Sequence, residues 1–205
     1  MMGVLAVPLM ERGIIDGSKE DDTISLPDLL ALVRIVMVPI IMGLATSSGE
    51  HALGISAALF AFAAATDFFD GYLARRWGIA TVLGAFLDST ADKLLVSGTL
   101  IALVAIDRAS IWPVLIIIMR EFIVMALRGI TAMEGQLVRP SNWGKIKAGV
   151  QFAAIFFAFL RLSDKWGPLF FDEWLMWIAA AVAIASGWQY ASSFWHVVRK
   201  VDSKA

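Results

Sequence analysis

Apolar runs of about 20 residues recur along nearly the whole of this chain, and nothing else in it restricts the fold so sharply. A run of that length crosses a hydrocarbon layer roughly 30 Å thick when it is helical. In apolar surroundings a backbone must bond its own N–H and C=O groups, and a helix does so within one segment. Hydrophobic residues make up 59% of the 205 and charged residues only 17%, so the chain reads as one integral membrane domain rather than a soluble domain with an anchor. The expected fold is all-α, a bundle of six transmembrane helices at approximately 27–46, 52–74, 80–106, 111–133, 144–163 and 173–197. Turn signals fall between them, at Ser47-Ser48-Gly49-Glu50, Arg75-Arg76-Trp77-Gly78, Asp107-Arg108, Glu134 through Pro140, and Ser163 through Pro168. No internal repeat or low-complexity segment is evident.

The segmentation is then a cytosolic N-terminal piece over 1–25, a six-helix membrane domain over 26–198 and a short cytosolic tail over 199–205. The first residues have no basic region ahead of their short apolar run and no small-residue cleavage site after it, unlike a secretory signal peptide. Val4–Ile15 has amphipathic character, and a disordered tail is an equal reading. Lys and Arg placement sets the orientation. Arg12, Lys19, Arg75, Arg76, Arg139, Lys145, Lys147, Arg199, Lys200 and Lys204 fall on one side, against Arg108, Arg161 and Lys165 on the other. The chain is therefore expected in the inner (plasma) membrane, multi-pass, with both termini in the cytoplasm. A net charge of −1 gives no sign of nucleic-acid binding, and zero cysteines exclude disulfides, thiolate nucleophiles and Cys-ligated metals.

Within these apolar runs sits TDFFDGYLARRWGIATVLGAFLDSTAD, with fixed positions Asp67-x2-Asp70-Gly71-x2-Ala74-Arg75-x8-Gly84-x3-Asp88-x3-Asp92. Ionised carboxylates at membrane depth are costly and functional by default. Asp67 and Asp70 are one helical turn apart, as are Asp88 and Asp92, and two such pairs on adjacent helices suit two Mg²⁺ or Mn²⁺ ions. Gly71 and Gly84 leave room for a ligand or a facing helix. The Arg75 fork suits phosphate, and Thr81 offers a hydroxyl at the same level. Divalent metal with Arg around phosphate is how phosphoryl transfer stabilises charge. Capping or salt bridging would account for one acid alone, such as Asp88, but not for four at this spacing. Four further cations, Arg34, Lys93, Arg120 and Arg128, lie inside the expected spans and need a polar cavity or a partner. Together they favour an anion-handling site.

This segment resembles the signature of the CDP-alcohol phosphotransferases, integral membrane enzymes that displace CMP from a CDP-linked lipid or alcohol. The likeness extends over most of residues 26–192. LPDLLALVR (Leu26–Arg34) is similar to the family's first-helix entry. REFIVMALR (Arg120–Arg128), WGKIKAGVQ (Trp143–Gln151) and WQY (Trp188–Tyr190) look like segments of the bacterial phosphatidylglycerophosphate synthases. The resemblance implies phosphatidyl transfer from CDP-diacylglycerol to sn-glycerol 3-phosphate, in a homodimer. It implies Asp67, Asp70, Asp88 and Asp92 as metal ligands, with Asp92 also the general base. It implies Gly71, Ala74, Arg75, Thr81 and Gly84 along the CDP-diacylglycerol site. Arg120, Arg128, Lys145 and Lys147 are the candidates for the acceptor phosphate. The chain departs from the family after Pro27: Asp28 and Ala31 stand where an Asn and a Thr are common, which removes a hydroxyl.

Other readings remain open. Phosphatidylglycerol as acceptor would make the chain a cardiolipin synthase, and inositol phosphate or serine would place it in other branches. A different class is a divalent-cation transporter, which Arg75 among the acids opposes. His51 and His196 read as solvated rather than metal-bound. Trp112, Trp143, Trp166, Trp174 and Trp195 near span ends read as an aromatic belt. Ala61, Ala63, Ala64 and Ala65 are expected to let helices pack closely.

Overall fold

The computed structural model describes residues 26–77, 82–133, 142–162 and 165–202, with side chains described over 28–66, 86–130, 146–162 and 165–192. Among the described residues the chain forms six helices: α1 Leu26–Ala45, α2 Ala52–Trp77, α3 Val82–Ala105, α4 Ile111–Met133, α5 Asn142–Leu160 and α6 Phe171–Asp202. Each coincides with an expected helix to within a few residues. A two-stranded hairpin, β1 Lys165–Trp166 and β2 Leu169–Phe170, stands where only a turn was expected. Its strands pair Lys165 with Phe170 and Trp166 with Leu169. The loop Gly167-Pro168 explains the register. Gly167 takes φ +74°, and Pro168, with its ring fixing φ near −65°, excludes a second left-handed residue.

The helix ends are closed by local chemistry. Thr46 Oγ1 and Ser47 Oγ donate to the carbonyls of Met42 (2.9 Å) and Leu44 (2.7 Å), capping α1. After α3, Asp107 adopts φ +54°. Its N–H bonds the Val104 carbonyl while the Arg108 N–H bonds that of Leu103. That is the paired pattern of a Schellman cap, and Asp tolerates the left-handed residue it requires. At the start of α6, Glu173 Oε2 reaches back to accept from the Phe170 N–H at 2.9 Å, one half of a capping box.

The helices pack as two triads. α1 lies against α2 and α3, α6 lies against α4 and α5, and α2·α5, α3·α4 and α3·α5 contacts join them. Ile41, Phe60, Leu95, Leu100, Leu103, Ile117, Ile155, Phe159 and Met176 form the buried centre. Gly98 sets the α1–α3 distance: a Cβ there would lie 2.4 Å from Val38 Cγ1 and 3.2 Å from Met42 Sδ. Of the small residues expected at interfaces, Ala63 is fully buried, while Ala61 and Ala65 are exposed. Ala31, one of the family departures, is also fully buried.

One segment among the described residues, Asp28–Ala45, is long and apolar enough to cross a membrane alone; Ala52–Thr66 and Ile146–Leu160 are apolar but shorter. The expectation of six such spans is therefore met for one. Charged residues interrupt the others: Asp88, Asp92 and Lys93 in α3, and Arg120, Glu121 and Arg128 in α4.

Candidate functional site

The acid motif occupies the last turns of α2 and the first turns of α3, two helices that are in contact. Asp67, Asp70, Gly71, Ala74 and Arg75 belong to α2 and Gly84 to α3, but their side chains lie outside the described residues, as does the whole of Thr81. Asp88 and Asp92 are described. Asp88 is half-exposed at 48%, and its Oδ1 accepts from Nη1 of the fully buried Arg34 at 3.1 Å. Asp92 follows one turn later on α3 and is partly buried. It stands within electrostatic reach of Lys93, Glu121, Lys147 and Arg34. Lys93 turns back along its own helix, donating to the Ser89 carbonyl (2.8 Å) and to Ser89 Oγ (2.7 Å).

Helices α4 and α5 bring the remaining cations to this end. Lys147, in the second turn of α5, is buried and donates to Oε1 of the buried Glu121 on α4. Arg120 Nη1 shares that same oxygen at 3.4 Å. Two cations thus lean on one carboxylate oxygen, and Glu121 was not among the residues singled out from the sequence. Arg120 Nε and Gln151 Nε2, one turn beyond Lys147, are buried donors with no acceptor among the described residues. Further along α4, Arg128 Nη2 donates to the hydroxyl of Tyr190 on α6, and its guanidinium lies 4.9 Å over the Tyr190 ring. Arg34, Lys93, Arg120 and Arg128 all find polar partners, as their place inside apolar helices demands. Lys145 falls in the first turn of α5, with its side chain outside the described residues.

Hard oxygen donors at turn spacing suit Mg²⁺ or Mn²⁺ better than softer metals. Among the described residues no three acids or histidines gather as a metal site; Asp88 is accessible and pairs with Arg34 through Oδ1, and with Asp92 one turn on it offers oxygen donors of the kind a divalent cation takes. Arg34, Lys93, Arg120, Arg128 and Lys147 outnumber Asp28, Asp88, Asp92 and Glu121 by one among the described charges of this end. That excess suits an anionic ligand.

The opposite end of the helices is built differently. Arg161, held at φ +36° after α5, donates Nη2 to Asp172 Oδ2 at 3.2 Å and to the Arg108 carbonyl at 2.9 Å, with Glu173 Oε1 at 3.6 Å. Outside the helices, burial and the nearby Arg161 lower the Arg108 pKa below the usual guanidinium value, while Asp172 opposes that. A cavity of about 480 Å³ opens here between Glu50, His51, Arg108, Phe159 and Leu160. His196 lies where side chains are not described.

Residues 24–185 match the family described as CDP-alcohol phosphatidyltransferase. A relative from Bacillus subtilis, named CDP-diacylglycerol–glycerol-3-phosphate 3-phosphatidyltransferase, is 36% identical over 188 residues, covering 85% of this chain and 97% of the relative. A Rickettsia typhi protein of the same name is 37% identical over 170 residues, covering 81% and 94%. A Mycobacterium tuberculosis protein named probable phosphatidylglycerophosphate synthase is 39% identical over 166 residues, covering 79% and 74%.

Proposed function

Since this chain belongs to the CDP-alcohol phosphatidyltransferase family, we propose that it transfers a phosphatidyl group from CDP-diacylglycerol to sn-glycerol 3-phosphate, giving phosphatidylglycerophosphate and CMP. The observation that carries this reading is identity of 35–39% across most of the chain to relatives named for that reaction or for its product's synthesis. The cation-rich surface of α4 and α5 supports an acceptor that brings its own phosphate.

The acceptor hydroxyl oxygen attacks the phosphorus that carries diacylglycerol. A new P–O bond forms, the bond to CMP breaks, and Asp92 accepts the hydroxyl proton. Arg120, Arg128, Lys145 and Lys147 hold the acceptor phosphate and so orient that hydroxyl. Gly71, Ala74, Arg75, Thr81 and Gly84 line the CDP-diacylglycerol site. Asp67, Asp70, Asp88 and Asp92 would hold two Mg²⁺ or Mn²⁺ ions. When bound, these neutralise charge on the diphosphate and on departing CMP.

The enzyme works as a multi-pass protein of the inner membrane, with the motif end in the cytoplasm beside its soluble acceptor. Exposed apolar side chains on the helices, such as Val36, Phe62, Ile101, Ile123 and Ile184, support lipid surroundings, since water-facing surfaces rarely carry so much apolar area. Exposed Trp112, Trp166 and Trp174 at the far end are consistent with an interfacial belt. Two copies associate, as the family resemblance implies; mass measurement in lipid nanodiscs checks this.

The test uses detergent-purified protein with CDP-diacylglycerol, Mg²⁺ or Mn²⁺, and separately glycerol 3-phosphate, inositol phosphate, serine or phosphatidylglycerol, following CMP release. Turnover with glycerol 3-phosphate alone is expected. Turnover with another acceptor instead would overturn the acceptor assignment and keep the chemistry. A folded protein releasing no CMP with any of them would overturn the activity.

A further inference from the structure

The acceptor cations proposed above lie on α4 and α5, yet α6 shapes two of them. Tyr190 is buried, 7% exposed, 62 residues from Arg128 in sequence, and accepts a hydrogen bond from Arg128 Nη2 through its hydroxyl. The guanidinium carbon also sits 4.9 Å over the ring centroid, so ring and hydroxyl both restrain the same group. Three residues earlier, on the same side of α6, Gly187 leaves space for the stem of Arg120: a Cβ there would come within 3.3 Å of Arg120 Cγ. A long Arg side chain loses considerable rotamer freedom when it must hold one pose. Restraint before the ligand arrives therefore lowers the cost of binding.

We propose that Tyr190 is a positioning residue for the acceptor phosphate, its hydroxyl and ring fixing the Arg128 guanidinium while Gly187 gives Arg120 its place beside it. The inference rests on the reading of Arg128 as an acceptor contact and adds a helix that carries none of the acid motif. Tyr190 does not touch the reacting atoms; it acts through Arg128.

Steady-state kinetics of Tyr190→Phe, Arg128→Ala and the double variant, with thermal melting of each, provide the test. Phe keeps the ring and removes the oxygen. Losing a hydrogen bond to a charged group is expected to raise the KM for glycerol 3-phosphate roughly tenfold. The kcat, the KM for CDP-diacylglycerol and the melting temperature should stay close to those of the parent. Added to Arg128→Ala, the Phe substitution should change little further, because the hydrogen bond it removes is the one to Arg128. If Arg128→Ala raises the acceptor KM while Tyr190→Phe does not, the positioning role is wrong and the acceptor site survives. An unchanged acceptor KM in Arg128→Ala overturns the Arg128 assignment, and this inference falls with it. If Tyr190→Phe lowers the melting temperature and moves both KM values together, Tyr190 is structural and the proposal is overturned.

Discussion

At the far end of the bundle, a single arginine meets two backbone carbonyls, two carboxylates and an aromatic ring; at the motif end, two cations share one carboxylate oxygen. Arg161 reaches the carbonyls of Asp107 (3.4 Å) and Arg108, the acids Asp172 and Glu173, and the Phe170 ring at 4.6 Å. Its backbone is strained to make this possible, a cost of order 1–2 kcal/mol for a non-glycine residue, which such dense bonding sustains. Lys147 and Arg120 instead converge on Glu121 Oε1, with Arg120 Nε and Gln151 Nε2 without acceptors among the described residues. Both regions bury charge in apolar helices. Arg161 Nε, like Arg120 Nε, has no acceptor among the described residues, so the difference lies in the ratio of partners. Arg161 alone faces two carboxylates and two carbonyls and ties elements together, whereas two cations sharing one carboxylate oxygen suit a ligand that brings its own oxygen atoms.

If that contrast is right, substitutions at the two ends separate activity from stability. Asp92→Asn should lower CMP release by roughly 10²–10⁴-fold, with the thermal melt held; normal turnover would remove Asp92 from the chemistry. Arg161→Ala should do the converse. It strands the fully buried Asp172, at about 3 kcal/mol of stability for a broken buried pair, while kcat per folded molecule is retained. Loss of kcat without a change in melting would break the comparison. Gly98→Ala drives a methyl into Val38 and should cost about 1–3 kcal/mol by overpacking. Combining it with Val38→Ala should recover most of that loss, which sharpens the assignment of Gly98 to spacing α1 from α3. The smallest effect belongs to Lys165→Ala, whose ammonium lies 5.1 Å from the centroid of the Phe170 ring. Melting should shift by less than about 1 kcal/mol. A larger loss would mean the hairpin carries part of the far-end tie.

The six helices were legible in the sequence because apolar runs of this length leave a backbone few alternatives. The hairpin at 165–170 was not, since strands of two residues carry no readable alternation. At the site, Arg34, Lys93, Arg120 and Arg128 stood out because a cation in an apolar helix needs a reason. Glu121 and Tyr190 did not. Glu121 sits next to Arg120 in the sequence, and its pairing with Lys147 crosses 26 residues between two helices. A tyrosine on an apolar face looks like core until its hydroxyl is seen on an arginine. Arg161 counted only as one charge toward orientation, and its role depends on a left-handed backbone turn that no spacing reveals. Asp28 and Ala31 were noticed for what they lack. Burial of Ala31 shows that its position belongs to helix packing, where a hydroxyl would need a partner of its own.

The bonds from Arg161 to the Asp107 and Arg108 carbonyls bear on how the protein is made. They reach back 54 and 53 residues along the chain. Synthesis runs from the N-terminus, so the turn after α3 is complete long before Arg161 leaves the ribosome, and Asp172 follows 11 residues later still. The turn closes on its own backbone cap, and Arg161 then fastens it to the start of α6 only once α5 is in place. The second triad thus locks the first, and a chain that stops before α6 lacks that lock.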